Sequence, residues 1–322
     1  MVQDAIKKFP TQFSFQPVVE NGPLGAYDQF IVCGMGGSHL AGDLLKMIRP
    51  ERTLAVHSDY GLPPISEQEI ARTLVIASSY SGNTEETLDS YNAARTRGMA
   101  VAVISTGGAL LQKAQQDGVP YVRLPDTGIQ PRQALGFGMR ALFALMGDGE
   151  ALAKSETLTT SLNAEALEAP GKELALRMRG FVPVIYSSWR NSALAYNWKI
   201  KFNETGKIPA FYNVLPELNH NEMTGFDVRE GTRALSQKFY FVFLKDTADR
   251  PRTQKRMAVL ERLYRERGLL VEVMPLAGEN DLLKMFSSLV LADWAAYHTA
   301  LGYGAEPEQV PMVEEFKKLI LG

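Results

Sequence analysis

The residues best suited by type and spacing to do chemistry lie in Ser79-Tyr80-Ser81-Gly82-Asn83-Thr84-Glu85-Glu86-Thr87. An apolar, β-branched run precedes this stretch and a helical pattern follows it, so it reads as a strand-to-helix turn. The hydroxyls of Ser79, Ser81 and Thr84 could face one point beside the unpaired amides and positive dipole end of the helix start, which suits a phosphate. Gly82 would let the backbone approach such a ligand closely. Simple capping is the alternative: Asn83 with Glu86 fits a capping box, and Ser81 could serve as the cap. Both readings stay open on the residues alone, although hydroxyls on both sides of Gly82 exceed what a cap requires. No lysine or arginine lies in the loop and no Gly-Lys-Ser/Thr is present, so a small phosphorylated metabolite is expected, not a Walker-type nucleotide site.

A second constellation lies far along the chain. Glu204 stands at the end of a helical pattern beside Gly206, where the helix dipole disfavours a carboxylate. Asn219-His220-Asn221 places the one histidine suited to acid–base work among amides that could fix its tautomer. For Glu204 and His220 the residues leave catalysis and a structural hydrogen-bond network both open. Arg132, beside Pro131 at a helix start, could hold an anion, but its position alone favours a surface arginine. Gly34-Met35-Gly36-Gly37-Ser38 offers another set of backbone amides and lacks the third glycine of a dinucleotide fingerprint. His39 reads as a local departure or a solvent-facing residue, and His57 and His298 as structural. No Cys/His/Asp grouping has zinc-like spacing, so no metal is expected. The turn is not G-x-S-x-G, which argues against a hydrolase elbow.

The elements that must position these residues alternate. Strand-like runs at 29–33, 54–57, 73–77, 100–104 and 119–124 are separated by helical patterns at 40–48, 84–96 and 109–117. Such alternation means parallel βαβ units with ligands at the carboxyl ends of the strands. Residues 147–180 read as two linking helices broken at Ala169-Pro170-Gly171. A second strand, polar turn and helix begin at 182, with further strands at 238–244 and 269–274 and helices at 253–267, 282–301 and 311–321. The expected fold is α/β, with two doubly wound, flavodoxin-type parallel-sheet lobes. The first, with an N-terminal helix, spans 1–150; linking helices span 151–180; the second, with a C-terminal helix, spans 181–322.

A length of 322 residues suits two domains, and 45% hydrophobic with 22% charged residues is ordinary globular composition. A net charge of −2 gives no electrostatic case for nucleic acid or an acidic membrane. Cys33, the single cysteine, cannot pair within the chain and lies in an apolar strand-like run, as a buried structural thiol in a reducing cytosol would. No apolar run approaches the ~18 residues of a membrane span, and the N-terminus carries no signal-peptide pattern. The expectation is a cytoplasmic, soluble protein.

The 79–87 stretch resembles the signature of sugar-isomerase (SIS) domains. Gly34-Met35-Gly36-Gly37-Ser38 with Asp43, Gln130-Pro131-Arg132-Gln133-Ala134-Leu135-Gly136, and Pro216-Glu217-Leu218-Asn219-His220-Asn221-Glu222 resemble the bifunctional phosphoglucose/phosphomannose isomerases. The first motif alone is shared with regulators and synthases; all of them in this order, from about residue 29 to the C-terminus, are specific to the isomerases.

The resemblance implies two SIS-like lobes and cofactor-free aldose–ketose isomerisation of glucose 6-phosphate to fructose 6-phosphate through a cis-enediol, in glycolysis and gluconeogenesis. It implies that Ser79, Ser81 and Thr84 hold the phosphate and that Gly36, Gly37 and Ser38 line the sugar. Glu204 is then the base moving a proton between C2 and C1, Arg132 stabilises the enediolate, and His220 assists ring opening from the partner subunit of a homodimer. A C-terminal lysine joins the site, with the spacing from Pro311 favouring Lys317 over Lys318. His39 departs from the family's usual small residue. Val310 stands where mannose-accepting members are expected to carry threonine, which leaves mannose 6-phosphate an open expectation. A non-catalytic SIS regulator would need the cradle but not Glu204, His220 and Arg132 together. An amino-sugar phosphate enzyme should show an added amine-handling segment, and none is found.

Overall fold

A computed structural model describes residues 1–321, which form two compact units: Lys8–Leu162, and Asn163 onward together with Met1–Lys7. Segment 151–180 is therefore divided between them at Leu162, and the N-terminal helix Val2–Lys7 groups with the later residues.

In the Lys8–Leu162 unit the strands are β1 (Val19–Glu20), β2 (Gln29–Cys33), β3 (Thr53–His57), β4 (Thr73–Ser78), β5 (Ala100–Ser105) and β6 (Tyr121–Arg123). Their order is β1-β6-β5-β4-β2-β3, all parallel except the short antiparallel edge β1. After the edge strand β1, the parallel winding starts at β2, steps out to β3, then returns past β2 to β4, so it reverses between β2 and β4. Both faces of the central strands are buried, as a parallel sheet under helices on two sides requires. One face meets Tyr91 and Ala94 of helix Glu85–Thr96 and Leu110, Leu111 and Ala114 of helix Gly108–Gln116.

The other unit has a four-stranded sheet of β7 (Val182–Ser188), β8 (Phe211–Leu215), β9 (Phe239–Lys245) and β10 (Leu270–Pro275), in the all-parallel order β10-β9-β7-β8. This is the same winding with one parallel strand fewer and no antiparallel edge, and its reversal falls between β7 and β9. β8 has no strand-like sequence pattern because it is an edge strand whose Phe211 and Tyr212 are exposed.

The break expected at Ala169-Pro170-Gly171 does not occur: helix Glu168–Arg177 runs through it. Pro170 lies in the first turn, where its missing N–H is not needed. Gly171 is there for packing, since a Cβ would stand 2.4 Å from the Cβ of Trp294 on the long helix Asp281–Gly302. No helix among the described residues is long and apolar enough to cross a membrane.

Candidate active site

β4 runs straight into the hydroxyl-rich turn, as its position beside the winding reversal predicts for a ligand loop. Ser79 is buried, and its Oγ lies 2.8 Å from Thr84 Oγ1 and accepts the Gly82 amide at 3.1 Å. Ser81 is exposed on the same loop, its Oγ accepting the Asn83 amide at 3.3 Å. Thr84 is the N-cap of helix Glu85–Thr96 yet makes no side-chain cap bond. The capping box read from Asn83 and Glu86 is not formed. Asn83 Oδ1 instead accepts the Ala109 amide of the neighbouring helix. Gly82 has φ +72°, and a Cβ there would lie 1.8 Å from the Gly107 carbonyl. Its lack of a side chain is thus demanded by the adjoining Ser105-Thr106-Gly107 turn.

That turn was missed in the sequence, although it too follows a strand with hydroxyls. Thr106 Oγ1 donates to the Tyr80 carbonyl at 2.7 Å, and Ser105 Oγ to the Gly107 carbonyl at 2.8 Å, which stiffens the loop from behind.

The glycine-rich turn packs against both neighbours. Ser38 Oγ accepts the Tyr80 amide at 2.9 Å, and its carbonyl accepts the Ser78 hydroxyl at 2.9 Å. Gly36 takes φ +51°, and a Cβ on Gly37 would come within 2.5 Å of the Arg132 amide nitrogen. Gly37 therefore lets the turn Pro131–Gln133 close onto this end of the sheet. Two expectations are corrected. Arg132 is not a surface residue but 2% exposed. His39 is not solvent-facing: it is buried, with Nδ1 2.7 Å from Asp43 Oδ2 one helical turn on, which orients the ring. Gly36, Gly37, Ser38, Ser79, Ser81, Thr84 and Arg132 thus all belong to turns at the carboxyl ends of this sheet.

Glu204, His220 and Lys317 belong to the other unit. Glu204 ends helix Ser192–Glu204, whose last turns are fixed by two buried bonds to helix Asp281–Gly302. Trp198 Nε1 donates to Ser288 Oγ at 2.9 Å, and Lys201 Nζ pairs with Asp293 Oδ1 at 2.7 Å. Lys207 Nζ donates to the Glu204 carbonyl at 2.7 Å, placing a cation at the helix end and offsetting the dipole's disfavour for the carboxylate. His220 is exposed on the turn after β8, its amide bonded to the Glu217 carbonyl at 2.9 Å. Lys317 lies on the exposed helix Pro311–Leu321 and pairs with Glu314 at 2.8 Å.

At the corresponding strand ends of this second sheet, hydroxyl, amide and ammonium groups are paired with carboxylates. Ser188 Oγ donates to Asp249 Oδ1 at 2.6 Å, Asn191 Nδ2 to Asp246 Oδ2 at 3.2 Å, and Lys284 Nζ pairs with Asp246 at 3.0 Å. Burial pushes the Asp249 carboxyl above its ordinary value. Burial also acts on Asp246, but the Ala248 amide, Lys284 and Asn191 outweigh it and hold that carboxyl below the usual range. Burial raises the Cys33 thiol to about 12, which suits a structural role. Among the described residues no group of three or more His, Cys, Asp or Glu could hold a metal ion.

The two windings and the hydroxyl-rich turn at the first reversal are those of the SIS class of α/β proteins. An isomerase from Aquifex aeolicus is 31% identical over 321 residues, 98% of this chain and 97% of the relative, and one from Caldicellulosiruptor bescii is 33% identical over 90% and 88%. The chain belongs to their family, the bifunctional phosphoglucose/phosphomannose isomerases. Residues 167–320 match the model of the bacterial phospho-glucose isomerase C-terminal SIS domain. In fold it is similar to a glucosamine-6-phosphate deaminase from Thermotoga maritima, with TM-score 0.69 at 14% identity over 96% of both chains.

Proposed function

We propose that the protein interconverts glucose 6-phosphate and fructose 6-phosphate through a cis-enediol, with mannose 6-phosphate as a second aldose. The reading rests on the full-length relationship to isomerases, which takes in both the 79–84 turn and the 204–220 segment. A sugar-phosphate regulator needs only the first. Substrate and product are isomers, so the hydrogen that leaves C2 returns at C1 and no external electron carrier is required.

Ser79, Ser81 and Thr84, with the amides of the uncapped helix start, hold the phosphate, while Gly36, Gly37 and Ser38 line the sugar. Glu204 removes the C2 proton and returns it to C1 on the same face. Arg132 stabilises the charge that develops on the enediolate oxygens. His220 moves the proton that opens the ring, reaching the partner's site in a homodimer, and Lys317 contacts the sugar. The protein is cytoplasmic and serves glycolysis and gluconeogenesis. A coupled assay that follows fructose 6-phosphate to glucose 6-phosphate, repeated with mannose 6-phosphate, tests the activity. Binding without turnover in a folded sample would make the protein a regulator. Mixing inactive Glu204→Gln and His220→Ala chains should restore turnover if His220 acts across the dimer; no recovery would place it in its own subunit's site.

A further inference from the structure

The turn that carries His220 is held from both sides. On the N-terminal side the His220 amide bonds to the Glu217 carbonyl at 2.9 Å, and Asn221 Nδ2 donates to Glu217 Oε1 at 2.8 Å. On the C-terminal side Glu222 reaches under the turn to the sheet. One of its carboxylate oxygens accepts the Tyr186 hydroxyl of β7, and the other accepts the Asn213 amide of β8. Tyr186 is completely buried, its ring 5.4 Å from that of Phe243 and 5.5 Å from that of Phe241. Its oxygen also lies 3.4 Å from the Tyr264 hydroxyl.

A carboxylate brought to an aromatic core loses hydration that an apolar residue at 222 would not have to lose. Such a cost buys no better packing, but it fixes direction: two bonds from adjacent strands to two oxygens of one side chain leave the turn little freedom to rotate. His220 itself is exposed, and among the described residues the backbone of this turn is what sets where its imidazole points. Groups that move protons must be held to within about half an ångström of their working geometry.

We propose that Glu222, Tyr186 and Asn213 are positioning residues for His220, clamping its turn to β7 and β8 so that the imidazole is presented for ring opening. The inference rests on the ring-opening role given to His220 above. It predicts a loss confined to cyclic substrate. Fructose 6-phosphate must be opened, whereas 5-deoxyfructose 6-phosphate lacks the ring-forming hydroxyl and is already open.

The test measures kcat/KM on both sugars, with the thermal midpoint, for Tyr186→Phe, Asn213→Ala and His220→Ala. Misplacing the imidazole should lower turnover of fructose 6-phosphate about tenfold or more in the two clamp variants, leaving the open-chain sugar within about twofold of wild type. Asn213→Ala keeps the test alive if Tyr186→Phe unfolds, because Asn213 is only partly buried on an edge strand. Equal losses on both sugars, or losses that track the thermal midpoint, would reduce the clamp to a structural bond and overturn the inference. If His220→Ala alone discriminates between the sugars, the clamp fails while the role of His220 stands. If His220→Ala does not discriminate, that role and the inference fall together.

Discussion

Asn83 Oδ1 accepts the Ala109 amide at 3.0 Å, so the residue next to a helix start caps a different helix, Gly108–Gln116. The helix that Asn83 leads into is left without a side-chain cap, and the Thr84 hydroxyl turns to Ser79 instead. Uncapped amides beside clustered hydroxyls are what a phosphate needs and what capping would have consumed.

Thr84→Ala and Ser81→Ala should therefore each raise KM for the sugar phosphate with little change in kcat. Losing one hydrogen bond to a charged group costs about 1.5–3 kcal/mol, roughly a ten- to hundredfold weakening. Steady-state kinetics on both variants checks this; unchanged KM in both would make the loop purely structural.

Glu204→Gln should keep substrate binding and lose nearly all turnover, since glutamine preserves shape but cannot take a proton. Loss of a general base is worth about 10²–10⁴-fold in rate. Trp198–Ser288 and Lys201–Asp293 hold the helix end independently, so the thermal midpoint should barely move. Retained turnover, or activity lost only in step with unfolding, would remove Glu204 from the chemistry.

On helix Pro311–Leu321 neighbouring side chains point about 100° apart, so only one of Lys317 and Lys318 can face a bound sugar. Lys317→Ala should harm kcat/KM more than Lys318→Ala. Equal losses, or the reverse order, would show that the register is wrong.

The two aspartates at the second sheet should respond to pH with opposite sign. Asp249, raised by burial, binds its proton more tightly folded than unfolded, so its contribution falls as pH rises from 3.8 through the folded value. Asp249→Asn keeps an acceptor for Ser188 and should gain on wild type as pH rises through the carboxylate range, from about 3 to about 7. Asp246 is lowered, so its contribution is present above 3.8 and is lost as pH falls through the folded value. Asp246→Asn should be less stable than wild type at neutral pH, with the gap closing on acidification. Thermal midpoints across pH that shift in parallel for both variants would contradict the assignment.

Much of this architecture was legible in the sequence because it is written locally. Continuous apolar runs, strand-to-helix alternation and glycine-rich strand ends depend on near neighbours, and they led to the parallel lobes, the cradle motif and the family. β8 escaped because an edge strand with exposed aromatics has no buried pattern to display.

Long-range packing decided the rest. Whether Gly82 serves a ligand or a neighbouring turn depends on the Gly107 carbonyl, 25 residues away in sequence and 1.8 Å from the absent Cβ. Arg132 looks like a surface cation until Gly37 allows its turn to close onto the sheet. Pro170-Gly171 looks like a helix break until Trp294 fills the space over the glycine. In each case the residue types were visible in the sequence, but their roles were set by a backbone brought close by the fold, and steric exclusion at that distance outweighs local preference.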